Sequence, residues 1–125
     1  MQLVKIILAT LVLAVSARSI AQAGTKVMAS APAVVSIPGP HTIYCDIANI
    51  GDQSAAVTIE IMNFAGGVVS GPHVVTVAPS TAESEYSSDM LAAWCRFTVD
   101  GSTRDLRATA IYENGTHYTM SLPAY

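Results

Sequence analysis

Two cysteines, Cys45 and Cys95, each sit in a segment whose apolar residues recur at every second position. "HTIYCDIANI" sets Ile43, Cys45 and Ile47 on one side and Tyr44, Asp46 and Ala48 on the other. "LAAWCRFTVDG" likewise sets Leu91, Ala93, Cys95, Phe97 and Val99 against Ala92, Trp94, Arg96 and Thr98. A period of two belongs to a half-buried strand rather than a helix. Both cysteines therefore point with the apolar set, and two such strands can face each other across one core. Of all the features of this chain, this one restricts its fold most.

Whether the sulfurs join depends on the compartment. The chain opens "MQLVKIILATLVLAVSARSIAQA": one basic residue, Lys5, an apolar run from Ile6 to Val15, then small residues ending in Ala21-Gln22-Ala23. This is the layout of a secretory signal peptide. The run is too short for a spanning helix, which needs about 20 residues. Export with cleavage after Ala23 is expected, giving a secreted or periplasmic protein without stable membrane insertion. The mature part, Gly24–Tyr125, suffices for one domain with a real core. In an exported chain an even cysteine count reads as a disulfide, here Cys45 with Cys95. A thiol nucleophile or metal thiolate would have to stay reduced in an oxidising compartment.

Signal removal also changes the charge. All nine acids are mature, whereas only Lys26, Arg96, Arg104 and Arg107 remain of the bases, so nine negative charges meet four positive ones. Without a basic run, such a chain is unsuited to nucleic acid or to anionic membrane surfaces.

Along the mature chain, residues 24–40 read as an extended lead-in with one short edge strand around Ala33 to Ile37, stopped by Pro38-Gly39-Pro40. Residues 41–125 read as the β-sandwich domain. Gly51-Asp52 is a turn signal, and "AAVTIEIMNF" is a strand with Val57, Ile59 and Ile61 inward. Ala65-Gly66-Gly67 and Gly71-Pro72 break the chain before "HVVTVA". "STAESEYSSDM" reads as a polar loop, or as a cap at Ser88-Asp89 for one helical turn over Met90 to Ala93. "LRATAIY" follows as a strand, and Asn114-Gly115 is the signal for a two-residue type I′ hairpin. That register sets Ile111 opposite Tyr118, Thr109 opposite Met120 and Tyr112 opposite His117, and leaves open which face is core. About seven strands, Gly/Pro punctuation and no βαβ rhythm give an all-β fold class, an antiparallel two-sheet sandwich with one inter-strand disulfide.

With Cys45 on an early strand, Cys95 on a late one, and Asp89 six residues before it, the chain resembles an immunoglobulin-type sandwich. Ala93 stands where that family has a tyrosine, and Trp94 lies beside the second cysteine rather than after the first. The run "CDIANIGDQSAAVTIEIMN" with "WCRFTVDGSTRDLRATA" is similar to small uncharacterised exported bacterial disulfide sandwich proteins, immunoglobulin-like in outline. That likeness implies a fold and no activity. The ending "THYTMSLPAY" resembles that of fimbrial subunits, which implies assembly by strand exchange.

Candidate chemistry is sparse. His41, His73 and His117 could meet as a metal site, although no pair has a recognised ligand spacing, so no metal and no cofactor are assigned. Glu83, Glu85 and Asp89 lie close together, as a paired-carboxylate glycosidase would need, but a solvated acidic loop accounts for them. No nucleophile elbow, S-x-x-K or phosphate loop occurs, and we expect no enzyme. Asn114-Gly115-Thr116 matches the N-glycosylation sequon, though the hairpin turn explains Asn-Gly by itself.

Trp94 and Arg96 share the outward face of one strand, and Arg107 is expected on its hairpin partner. Arg96 can pair with Glu60 or Asp46 or stack on Trp94, which is the structural role. Trp and Arg are also the residues enriched at interface hot spots, which makes Trp94, Arg96 and Arg107 an expected interaction surface. The expected function is an exported non-catalytic sandwich that contacts a protein or glycan at the cell envelope. The alternatives are a pilin-like subunit that exchanges "PAVVSI" or its C-terminal strand, and a metal binder through the three histidines.

Overall fold

The structure is a computed structural model and describes residues 24–34, 41–88, 92–115 and 119–125. The expected signal peptide, residues 1–23, and the stop at Pro38-Gly39-Pro40 lie outside the described residues, as do Asp89 to Leu91 and Thr116 to Tyr118. The described strands are β1 (Thr25–Ala29), β2 (Ala33–Val34), β3 (His41–Asn49), β4 (Ala55–Met62), β5 (Val68–Val77), β6 (Ala82–Ser87), β7 (Ala92–Asp100), β8 (Leu106–Asn114) and β9 (Thr119–Ala124). One sheet has the order β1-β7-β4-β5, with β2 also paired to β7; the other has the order β6-β3-β8-β9. All pairings are antiparallel. The fold is thus the all-β, two-sheet sandwich that alternation implies.

The cysteine strands carry it. β3 alternates buried and half-buried residues along its whole length, and β7 does so from Ala92 to Val99. Cys45 and Cys95 form a disulfide with a Cα–Cα distance of 5.6 Å, joining an inner strand of each sheet. Ile43 and Ile47 on β3, Ile59 on β4 and Phe97 on β7 are fully buried around it. Each such aliphatic or aromatic side chain contributes about 1.5–3 kcal/mol when taken from water. Together they form one continuous core.

Polar side chains close the ends of this core. Between β1 and β2 the chain leaves the edge of β7, which would orphan the backbone of Cys95. Ser30 prevents this: its N–H donates to the Cys95 carbonyl (3.0 Å), and its Oγ accepts from the Cys95 N–H (2.9 Å). At the β3–β4 turn, buried Asn49 donates from Nδ2 to the carbonyls of Gln53 (2.7 Å) and of Val77 in the opposite sheet (3.0 Å). Its Oδ1 accepts from the Gly51 N–H at 2.9 Å. Gly51 is required there, because a Cβ would lie 2.8 Å from the Cβ of Asp105.

Several sequence expectations need correction. There are nine described strands rather than about seven. β1 forms inside the expected lead-in; Met28 is the one buried side chain of this strand, and no apolar alternation marks it. β2 is described over just two residues of the expected Ala33–Ile37 strand. β6 occupies the expected polar loop, and of the two readings of Ala92 and Ala93, a helical turn or the alternating cysteine strand, the strand holds: they open β7. Gly71-Pro72 does not break the chain before β5 but lies inside it, in an irregularity where the register against β4 shifts between Ile59 and Ile61. An edge strand tolerates proline, since one side of it makes no ladder. Gly71 has φ +103°, and a Cβ there would meet the Ile59 carbonyl oxygen at 2.7 Å, so glycine is required at the shift.

The last hairpin is also longer than a two-residue turn. Asn114 still pairs with His41 on β3, and the pairing with β9 closes at Glu113 opposite Thr119, not opposite Thr116. Tyr112 accordingly opposes Met120, and Ile111 opposes Ser121. The core face is that of Tyr112, which is buried and donates its hydroxyl to the Ala93 carbonyl at 2.6 Å. Finally, β7 and β8 are consecutive but lie in different sheets, so they are not hairpin partners.

The cross-link spans 50 positions, for which chain entropy gives about 4 kcal/mol of stabilisation. Replacing Cys45 and Cys95 together by alanine is expected to lower the unfolding free energy by about that amount in a urea titration. A loss below about 1 kcal/mol would show that the core alone holds the sheets.

Candidate functional site

Cross-strand register decides which outward side chains can act together. On β7, Arg96 lies opposite Glu60 of β4, and its Nε donates to Glu60 Oε2 at 2.8 Å. The hydrogen bond to Glu60 holds the Arg96 guanidinium above its ordinary value, outweighing the opposite effect of burial. The other expected acid, Asp46, is in the opposite sheet and is not its partner. Trp94 lies opposite Met62, which has outward parity yet is 1% exposed. The Trp94 indole N–H donates to the Asn63 carbonyl at 3.1 Å, which fixes the ring over the end of β4. Trp94 and Arg96 are thus neighbours engaged within their own sheet.

Arg107 does not join them. It lies on the outer face of β8, in the other sheet, and its guanidinium donates to the carbonyls of Arg104 (3.0 Å) and Leu106 (2.8 Å). It also borders a groove of about 420 Å³, with Met28, Leu106 and Tyr125 among the lining residues. The three residues expected to form one interaction surface lie on opposite faces of the sandwich.

The histidines are separated too. His41 is buried at the start of β3, four residues from Cys45, or about 13 Å at strand rise. Glu85 of β6 pairs directly with Cys45, and His73 of β5 approaches that carboxylate, with Nε2 3.6 Å from Oε2. His117 lies outside the described residues. Among the described residues no group of three His, Cys, Asp or Glu side chains could hold a metal ion.

Ser70, His73 and Glu85 do converge at the margin between β5 and β6. The Ser70 Oγ is 3.3 Å from His73 Nε2, the same nitrogen that faces Glu85. A nucleophilic triad needs the hydroxyl on one ring nitrogen and the acid on the other, so that the acid orients the ring while the free nitrogen takes the proton. With both partners on one nitrogen, this arrangement lacks that relay. Glu83 and Glu85 pair with Ile47 and Cys45, so they point to the inner side of β6 at the rim of the core.

A different constellation emerges on the outer face of the β6-β3-β8-β9 sheet. One row across it reads Tyr86, Tyr44, Ile111, Ser121. The two tyrosine rings lie 5.8 Å apart at 34°, a tilted cross-strand pair. Asp46, in the next row, accepts a hydrogen bond from the Ser84 hydroxyl. Partial burial first, then the charge of Glu113 and the hydrogen bond its carboxylate accepts from the hydroxyl, raise the Tyr44 hydroxyl above its ordinary value. Tyr86 is 63% exposed. The sequence hid this pair because β6 read as a loop. The available signal was the alternation in "AESEYS", where period two runs between small or aromatic residues and acids instead of apolar and polar ones.

The chain matches no protein-family model, no curated protein and no solved structure.

The engaged geometry of Trp94 and Arg96 predicts a stability cost when either is cut back. In urea titrations Trp94→Ala is expected to lose about 2–3 kcal/mol and Arg96→Ala about 1–2 kcal/mol, whereas exposed Arg107→Ala should stay within about 1 kcal/mol. Equal, negligible effects for all three would mean that Trp94 and Arg96 are as free as Arg107.

Proposed function

We propose that this protein is an exported, non-catalytic sandwich that works as an interaction module at the cell envelope, contacting a protein or a glycan through a sheet face. The observation that carries this reading is the outer face of the β6-β3-β8-β9 sheet, where Tyr44 and Tyr86 stand together with one ring largely open to solvent. Aromatic side chains that supply no core are what contact surfaces use. The Cys45–Cys95 bond supports an oxidising, extracellular or periplasmic location, in keeping with the signal layout of residues 1–23.

A structural subunit that exchanges strands is the second reading, and β1 favours it. This short strand holds the edge of β7 by backbone pairing while burying one side chain, Met28. A copy's strand could replace it with little loss of core.

Two measurements test these readings. Cell fractionation of a producer of the full chain is expected to place a form beginning at Gly24 outside the cytoplasm, with both cysteines oxidised and saturable binding to the cell's own envelope fraction. An uncleaved cytoplasmic chain with free thiols, or no saturable retention, would overturn the proposal. Light scattering of the exported protein is expected to report a monomer at every concentration. Polymers that vanish on trimming residues 24–40 would instead establish strand exchange.

A further inference from the structure

We propose that the outer face of the β6-β3-β8-β9 sheet receives a cationic segment of a partner protein, with Tyr44 and Tyr86 as the stacking platform and Asp46 and Glu113 as counter-charges. This inference rests on the interaction-module reading and names the chemistry of its partner.

The placement follows from register. Tyr44 opposes Tyr86 on one side and Ile111 on the other. Asp46 lies two residues along β3 from Tyr44, and Glu113 lies two residues along β8 from Ile111, in the opposite direction along the sheet. Two residues of strand span about 6.6 Å, so a carboxylate flanks the aromatic row on each side. An extended peptide with cations at alternate positions has the same spacing, and can set one cation over a ring and the next at an acid.

Charge complementarity selects this occupant. Among the described residues Arg96 pairs with Glu60 and His73 lies near Glu85, and neither Asp46 nor Glu113 has a cation opposite it. The hydrogen bonds that Asp46 accepts from Ser84 and Glu113 from the Tyr44 hydroxyl leave further acceptor sites on both carboxylates. Arg107 shares the face, but its guanidinium is turned to the carbonyls of Arg104 and Leu106. Burial first, and then the charges of Glu113 and Asp46, raise the Tyr44 hydroxyl, so both acids act on this row. A cation above a tyrosine ring is drawn by the ring quadrupole as well as by nearby acids, whereas a neutral sugar would use the rings and leave both acids idle. A cross-strand aromatic pair alone would stabilise the sheet, but it would not explain carboxylates on both sides of it that have no opposing cation among the described residues.

The probe is a labelled octapeptide of alternating arginine and glycine, titrated against the exported protein at low and high salt. Saturable binding is expected, weakening at least fivefold with Tyr86→Ala and at least tenfold with Asp46→Asn plus Glu113→Gln. Asp52→Asn plus Asp100→Asn, which removes as much charge from exposed positions off this face, should leave affinity within twofold. Circular dichroism and the melting curve of each variant verify folding. Equal losses for the two charge pairs would mean non-specific attraction to an acidic protein, and would overturn the proposal. So would a neutral oligosaccharide whose binding is lost with Tyr86→Ala but kept without the two acids. If the peptide fails while envelope retention persists, this inference falls and the module stands; if both fail, both fall.

Discussion

The sandwich depends on one constraint, the inward placement of Cys45 and Cys95 on inner strands of opposite sheets. A strand with period two has a single choice to make, which parity faces the core. The sulfur bridge makes it for β3 and β7 together, and with it for every residue paired to them. Ile43, Ile47, Phe97 and Val99 are inward because the cysteines are, and Tyr44, Asp46, Trp94 and Arg96 are outward for the same reason. Register then carries the choice outward: Glu60 meets Arg96, and Tyr86 meets Tyr44.

A sandwich also has margins, and each is managed differently. At one margin Ser30 bridges to Ala124, and Ala29 exchanges backbone hydrogen bonds with Tyr125, so β1 and β9 tie the two sheets together. At the other, β5 is bent by the register shift at Gly71-Pro72, and β6 turns Glu83 and Glu85 toward the rim of the core. Proline, irregular register and inward charge all obstruct the addition of another strand. His73 reaches across to Glu85, which places a polar contact where an apolar seam would invite association. This treatment of the edges directs attention to the faces.

How much of this was legible in the sequence depended on what marked each strand. β3, β4 and β7 were readable because buried apolar residues alternate with polar ones. β6 was not, because it sits at an edge, where its inner positions are glutamates and its outer ones include Tyr86; the period survives but its polarity is reversed. β1 was hidden because backbone pairing to β7 holds it, and Met28 is its one buried side chain. Asn114-Gly115 misled because the turn signal is local, while the pairing of Asn114 with His41 is made by a strand 73 positions earlier. The same non-locality explains the sites. Trp94 and Arg96 could be seen as a pair from parity on one strand. Arg107 could not be placed, since only the crossing from β7 to the other sheet separates it from them. Tyr44 and Tyr86 lie far apart in the chain and become neighbours solely through the β3–β6 pairing.

The two outer faces therefore differ in a way that bears on function. On the β1-β7-β4-β5 sheet, the guanidinium of Arg96 is neutralised by Glu60 and the polar edge of Trp94 is spent on Asn63. A partner docking there would have to displace contacts that already hold the sheet. On the β6-β3-β8-β9 sheet, the aromatic rings contact each other yet remain accessible, and the acids beside them have no opposing cation among the described residues. The residue types most enriched at interfaces, Trp and Arg, are in this protein committed to its own architecture, and the surface with unmet electrostatic capacity is the one built from tyrosines and carboxylates.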